Sequence, residues 1–507
     1  MTQAVDFSGR PFHFIGVGGI GMSAIAQVLV ERKLPVSGSD VRHSHITERL
    51  QRLGVHIFWG QDGQNLSHFQ PTAESLRYEE GFVGGGIATL LQPAIATTFP
   101  VQCVDPDYLP QVVCSTAIRK DNLEYQAALE LGCPIFHRSD ILAALIGISL
   151  RSVSVAGTHG KTTTSGMIGH LLTHAKLDPT VVIGGEVNAL GGNARLGESD
   201  YLVAEADESD GSLVKFQSYL GIITNIELDH PDHYANLEQV VSTFQKFASR
   251  CQMVVGCYDC DNVRRNIPLT LSYSLERSSG ADYSVDQVEY SGYGTRARIW
   301  EKGGCLGELT LNLLGSHNLS NALAAVAVGR HFGLPFGAIA AAIAQYEGAK
   351  RRFEYRGHAH DIVFVDDYAH HPSELKVTLA AARLQLKTST TRLPILPERI
   401  VAIFQPHRFS RTQVLMEDFR TCFGDADEVI VCEIYSAGEK DPGLAGGQAL
   451  ADVIAQVHPK VRYCNSLDAV RDYLQATLQP KDLALFMGAG NLNQIIPGLI
   501  THFEKNL

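Results

Sequence analysis

The chain has 507 residues, with 42 Lys and Arg against 54 Asp and Glu, for a formal net charge of −12. At a usual size of roughly 100–200 residues per domain, this length predicts about three domains. The acidic balance argues against nucleic acid or an anionic membrane as partner. With no apolar run of about 18 residues and no basic-then-apolar start, a soluble cytoplasmic protein is expected.

Short β-branched runs alternate with Ala- and Leu-rich helical patterns, the signature of doubly wound α/β sheets. The first strand pattern, PFHFIGVGG, runs straight into the helical MSAIAQVLVERK. Its turn matches G-x-G-x-x-G at Gly16, Gly18 and Gly21, with Asp40 about twenty residues on. Bare N–H groups at a helix start suit a diphosphate, and both NAD and a UDP-sugar carry one.

The pattern restarts near residue 151 with RSVSVAGTHGKTTT. A phosphate needs consecutive N–H donors at a helix start, a lysine charge and a hydroxyl for Mg²⁺. Gly157 and Gly160 let the backbone wrap, Lys161 reaches the β/γ-phosphates and Thr162 is placed for Mg²⁺. Val155 stands where the longer phosphate-loop pattern has its first glycine, so the loop is shortened and its donors are kept. EADESD and TNIELDHPDHY each follow an apolar strand-like run. Strand C-termini face the ligand crevice of open α/β sheets, so Glu205 and His230 are predicted to meet on the same cation.

Ten cysteines are scattered without regular spacing. The close pair Cys257 and Cys260 lacks a second pair at ligand distance, so buried structural thiols are expected and no metal-thiolate site. Residues 281–315 alternate polar and apolar around glycine-rich turns and read as antiparallel strands attached to the middle domain. After EGAKRRFEYRG the pattern restarts again at HDIVFVDDYAHHPSELKVTLAAARL, and LKTSTTRLPILPER reads as a solvated loop. The restarts propose three α/β domains at 1–150, 151–349 and 350–507: a Rossmann-like domain, a phosphate-loop ATPase domain with added antiparallel strands, and a second Rossmann-like domain.

In this order, GVGGIGMSAIA, VAGTHGKTTT, EADESD, TNIELDHPD, SHNLSN, RRFEY, DDYAHHPSE, FQPHRFSRT and GAGN resemble the Mur ligase family over nearly the whole chain. DDYAHHP with QPHRFSRT narrows the resemblance to the members nearest the branch that joins L-alanine to UDP-N-acetylmuramate in peptidoglycan synthesis. The resemblance implies UDP-substrate, ATP and amino-acid domains in that order, and a substrate acyl phosphate made from ATP with Mg²⁺. It implies ATP contacts by Gly157, Thr158, His159, Gly160, Lys161, Thr162 and Thr163, then by His317, Asn318 and Asn321, with Arg352 and Asp366 near ribose and phosphates. It implies UDP-substrate contacts by Gly18, Gly19, Ile20, Gly21, Met22, Ser39, Asp40 and Ser115, and amino-acid contacts by Tyr368, His370, His407, Arg408 and Arg411, with His371 facing the domain junction. Lys161, Glu205 and His230 form the implied catalytic set, with Thr162, Glu205 and His230 on the metal and the enzyme a monomer or homodimer.

Spacing alone puts Arg408 and Arg411 on one helical face, which by itself reads as an exposed basic face; the motif match favours an arginine fork on a carboxylate. Taken singly, the Asn residues suit helix caps as well as an adenine edge. Two departures from the family stand out: Gln61 in FWGQDGQNL replaces a histidine expected at the uridine, and residues 66–110 are longer than the family pattern. An NAD-linked dehydrogenase leaves Lys161, Glu205 and PHRFSR without a role, and a nucleotide-binding regulator needs no such complete set. The closer rival is a recycling ligase that joins a tripeptide to the same sugar; GVGGIGMS is of the L-alanine type.

Overall fold

Each restart of the strand–helix pattern builds its own sheet. The computed structural model describes residues 4–69, 109–388, 391–441, 443 and 446–505; most of the long segment, residues 70–108, lies outside them. Strands β1 (Phe12–Ile15), β2 (Val36–Asp40), β3 (His56–Trp59), β4 (Gln111–Cys114) and β5 (Ile135–His137) form the first sheet, all parallel in the order β3-β2-β1-β4-β5. Both faces of a parallel sheet are covered, so β1 is buried at every position. Helix α1 (Ile20–Glu31) follows β1 directly.

The second sheet has ten strands: β6 (Arg151–Ala156), β7 (Thr180–Val187), β8 (Gly192–Arg195), β9 (Tyr201–Glu205), β10 (Leu220–Ile223), β11 (Met253–Cys257), β12 (Leu271–Ser274), β13 (Tyr283–Ser291), β14 (Gly294–Glu301) and β15 (Gly304–Leu311). Their order is β15-β14-β13-β12-β11-β10-β6-β9-β7-β8. β12 to β13 is the last parallel pairing; β13–β14–β15 is an antiparallel meander, as the alternation of residues 281–315 predicts. Helices α2 (Lys161–His174) and α3 (Ser316–His331) bury Met167, Ile168, Leu171, Leu323 and Val326 in one core with Val153, Val155 and Val203.

The third sheet runs β16 (Glu354–Ala359), β17 (Ile362–Asp367), β21 (Asp482–Met487), β18 (Arg399–Phe404), β19 (Glu428–Cys432) and β20 (Val461–Cys464) from edge to edge. β16 is antiparallel to β17 and the rest are parallel. Helix α4 (Pro372–Lys387) starts with proline in its first turn and a capping box between His371 and Glu374.

The chain is thus an α/β protein of three domains. Residues 1–145 with 194–196 form one body, and residues 146–193 with 197–507 form a second that holds the middle and third sheets. The chain passes between those two sheets from a helix ending at Ala344 to β16 starting at Glu354. The described cysteines are all free thiols. No helix among the described residues is long and apolar enough to cross a membrane.

Candidate active site

The second glycine-rich turn begins where β6 ends. Gly157 has φ +139°, and a Cβ there would collide with the Thr224 side chain. Gly160, at φ +83°, is the N-cap of α2, and its Cβ would lie 2.6 Å from Asn321 Oδ1. Both backbone angle and space therefore demand glycine at the two positions the shortened loop keeps. Asn225 holds the turn from outside, accepting the His159 N–H at Oδ1 (2.8 Å) and the Thr158 N–H at its carbonyl (3.0 Å). No side chain caps α2, so its first N–H groups face the turn as an anion site.

Lys161 Nζ donates to Gly157 O at 2.7 Å and to both Glu208 oxygens at 2.8 and 2.9 Å. Glu208 is buried. Burial pushes its carboxyl up to about 7 against the opposing pull of Lys161; burial opposes the Lys161 charge too, but Glu208 and Asp207 outweigh it and raise the ammonium. Thr162 Oγ1 donates to the Glu205 carboxylate at 3.0 and 3.1 Å, and Glu205 Oε2 accepts the Gly184 N–H at 2.8 Å. His230, at φ +54°, places Nε2 3.7 Å from Glu208 Oε1 and 3.6 Å from Asp229 Oδ2. Burial lowers its imidazole despite Asp229, favouring the neutral form that ligates metals. Glu208 thus contacts both Lys161 and His230. The sequence reading passed it over because EADESD offers two glutamates, and position in the motif does not say which one reaches the lysine.

A cavity of about 870 Å³ opens beside this turn, and His159, Gly160, Thr163, His317, Asn318, Asn321 and Arg352 all line it. Asn318 also donates to Leu314 O at 2.8 Å and accepts from Asn321. His317 is held down to about 4 by burial and by Arg352, so it faces the cavity as a neutral ring. Asp366 does not line this cavity: on β17 it is paired with Arg351 (3.2 Å) and Arg356 (3.4 Å), with Asn493 Nδ2 at 3.3 Å. Side chains alternate along a strand, so the next residue, Asp367, takes the cavity face. Burial pushes Asp367 up to about 6 while it accepts the N–H groups of Phe353 and Ala369.

Tyr368, His370 and His407 form a chain of rings, with centroids 5.4 Å apart between the first two and 5.7 Å between the last two. Burial, with neighbouring positive groups, holds His370 down to about 4 and His407 to about 2. The two arginines are not on one helical face. Arg408, at φ +71°, is the N-cap of helix α5 (Phe409–Val414), outside its first turn. It pairs with Asp232 (3.2 Å) and Glu439 (3.3 Å). Arg411 is not a free fork either: it is buried, with Nε 2.7 Å from Asp229 Oδ1 and Nη1 3.0 Å from His407 Nδ1. His371 caps α4 and reaches Leu228 O from Nε2 at 3.3 Å.

In the first body, Gly16 (φ +80°) and Val17 donate to Ser39 O, and Gly18 N–H to Asp40 Oδ2 at 2.8 Å. A Cβ on Gly18 would lie 2.8 Å from the same oxygen. Asp40 therefore shapes the turn itself. Ile20 is exposed and Met22 buried at the start of α1, whose N-cap is Gly19; beside it, Gly21 leaves a Cβ only 3.3 Å from Arg138. Ser39 turns its hydroxyl inward to Glu124 Oε2 at 2.5 Å, while Ser115 O accepts the Ile118 N–H. Gln61 Oε1 accepts from Asn122 at 2.7 Å, which fixes the departure from the family pattern in a helix-capping network.

Three family profiles match in sequence: the Mur ligase family catalytic domain over residues 11–148, the Mur ligase middle domain over 155–329 and the Mur ligase glutamate ligase domain over 351–490. The chain is 58% identical over 503 residues to a UDP-N-acetylmuramate–L-alanine ligase of Synechococcus elongatus, covering 99% of this chain and 98% of the relative. It is 57% identical, with the same coverage, to one of Nostoc punctiforme. Among solved structures, a UDP-N-acetylmuramate-alanine ligase of Thermotoga maritima superposes with a TM-score of 0.76 at 26% identity, covering 98% of this chain and all of the other. The chain belongs to the Mur ligase family.

Proposed function

We propose that this protein ligates L-alanine to the lactyl carboxylate of UDP-N-acetylmuramate with ATP, releasing ADP and phosphate, as a step of peptidoglycan precursor synthesis. What carries the reading is Lys161 and the Thr162–Glu205 pair at the mouth of one phosphate turn beside a nucleotide-sized cavity, in a chain 58% identical to ligases named for this reaction. Residues 1–150 are assigned to the UDP substrate, 151–349 to ATP and 350–507 to the amino acid. ATP and a UDP-sugar as substrates fit a cytoplasmic location.

The substrate carboxylate oxygen attacks the γ-phosphorus and the bond to ADP breaks. The L-alanine ammonium loses one proton to solvent, its amine attacks the acyl carbon, and phosphate leaves with the former carboxylate oxygen as a second proton passes from nitrogen to the departing phosphate or solvent, leaving one hydrogen on the amide. No enzyme nucleophile is needed, so the chain contributes position and charge. The hydroxyl of Thr162, the Glu205 carboxylate and the neutral His230 ring suit a hard divalent cation, and Mg²⁺ held there would neutralise phosphate charge. Incoming phosphate displaces Glu208 from Lys161, and released Glu208 stays against His230. Asn318, Asn321, Arg352 and Asp367 orient the nucleoside. Arg408, about a third exposed and held by Asp232 and Glu439, is the cation of PHRFSR that the L-alanine carboxylate would engage, next in sequence to His407, whose ring lies 5.7 Å from that of His370. ¹⁸O in the lactyl carboxylate should appear in released phosphate during turnover with L-alanine; turnover without that transfer, or turnover with tripeptide and none with L-alanine, would refute the assignment.

A further inference from the structure

The phosphate turn and the start of α4 carry a second cluster of donors, apart from Thr162, Glu205 and His230. His159, Glu227 and His371 each offer one atom, and these atoms lie within 4.8 Å of one another. His159 Nε2 is 3.5 Å from Glu227 Oε2, and His371 Nδ1 is 3.8 Å from the same oxygen. The two imidazole rings have centroids 4.7 Å apart. In a tetrahedral zinc site with bonds of about 2.0–2.1 Å, donor atoms stand about 3.3–3.4 Å apart, so the two shorter separations need a closure of only a few tenths of an ångström.

Each ring has its other nitrogen backed by an oxygen acceptor. His159 Nδ1 faces Glu374 Oε1 at 3.4 Å, and its buried Nε2 has the Glu227 carboxylate, 3.5 Å away, as its polar neighbour. His371 Nε2 faces the Leu228 carbonyl at 3.3 Å, so Nδ1 carries the lone pair and accepts only the long Ser373 N–H contact at 3.3 Å. Carboxylate or carbonyl support behind a histidine is the usual outer shell of a metal ligand. Glu227 is itself oriented by the Ser373 hydroxyl at 2.6 Å. His159 and Glu227 also line the nucleotide cavity, which leaves a fourth position open to water or a phosphate oxygen. Without a metal, the arrangement is held by an imidazolium at His159 between Glu227 and Glu374; a metal replaces that proton.

We propose that His159, Glu227 and His371 form a second divalent-cation site, separate from Thr162 and Glu205, that prefers Zn²⁺ or Co²⁺ to Mg²⁺ and clips the phosphate turn to the N-terminus of α4. Two nitrogen donors against one oxygen give the preference, because Mg²⁺ takes oxygen ligands in octahedral geometry.

The test uses the full-length protein, stripped with chelator and titrated with Co²⁺ and then Zn²⁺ in excess Mg²⁺. One equivalent of Co²⁺ should give a tetrahedral visible band that Zn²⁺ abolishes. Glu227→Gln keeps the side-chain size, and His371→Asn keeps a competent helix cap, so both should fold. Each should weaken Zn²⁺ by at least about 10- to 100-fold, the loss that even a change behind a ligand causes, whereas Thr162→Ala with Glu205→Gln should leave Zn²⁺ binding within threefold. Absence of the band in the wild type overturns the site. So does a band that survives in Glu227→Gln and His371→Asn, or one lost with the Thr162 and Glu205 changes.

Discussion

Arg411 and Asp229 make a buried ion pair that ties the third sheet's domain to the middle one, and breaking it should be costly. The two side chains are 2% and 5% exposed, with Nε 2.7 Å from Oδ1. Neither charge can regain solvent when its partner is removed, so Arg411→Met or Asp229→Leu alone should cost about 3–5 kcal/mol. Replacing both should restore much of that loss, because an apolar pair of similar volume avoids the burial penalty of both charges. The coupling term in the cycle should be about 2–3 kcal/mol. The chain has two tryptophans, Trp59 in the first body and Trp300 on β14, so a Trp59→Phe background leaves Trp300 to report on the second body in urea. With m near 3 kcal/mol/M, each single change should move that midpoint by about 1–1.7 M. Single changes below about 1 kcal/mol that simply add would show that the pair is not the tie its burial implies.

Arg408→Ala, at a partly exposed site, should cost about 0–1 kcal/mol of stability and raise the L-alanine KM about ten- to hundredfold while ATP KM stays put; an ATP effect with no alanine effect would withdraw its role. Asp367→Asn should weaken ADP binding measured by calorimetry, whereas Asp366→Asn should leave ADP affinity unchanged and lower the thermal midpoint. His159 is held up at about 10: burial would lower it, and the Glu227 and Glu374 carboxylates overcome that. A raised folded value gives stability that is complete below the ordinary 6.5 and disappears as pH rises through 10, so the gap in thermal midpoint between the wild type and His159→Asn should narrow over that window. Lys161→Ala should abolish ligation with the fold intact, and Glu205→Gln should raise the Mg²⁺ concentration needed for half-maximal turnover; near-normal turnover in the first would refute the phosphate-turn assignment.

The local parts of this protein were legible in its residues. A glycine at positive φ, a strand running into a helix start and the polar–apolar alternation of residues 281–315 are set by backbone sterics and side-chain periodicity, which act over a few neighbours. The shortened turn at Gly157 and Gly160 could therefore be read without a fold. The partners of its charges could not. Strand parity puts Asp367, not Asp366, in the nucleotide cavity, and that parity follows from which face of the third sheet packs beside the middle domain. Glu208 rather than Glu205 meets Lys161 because the chain turns after β9 and brings back a carboxylate three residues on. Arg411 finds Asp229 at a separation of 182 residues, and a left-handed backbone at Arg408 breaks the helical spacing that the sequence suggested. Long-range burial decides such pairings, since a charge removed from water must take whichever opposite charge the packed chain places beside it.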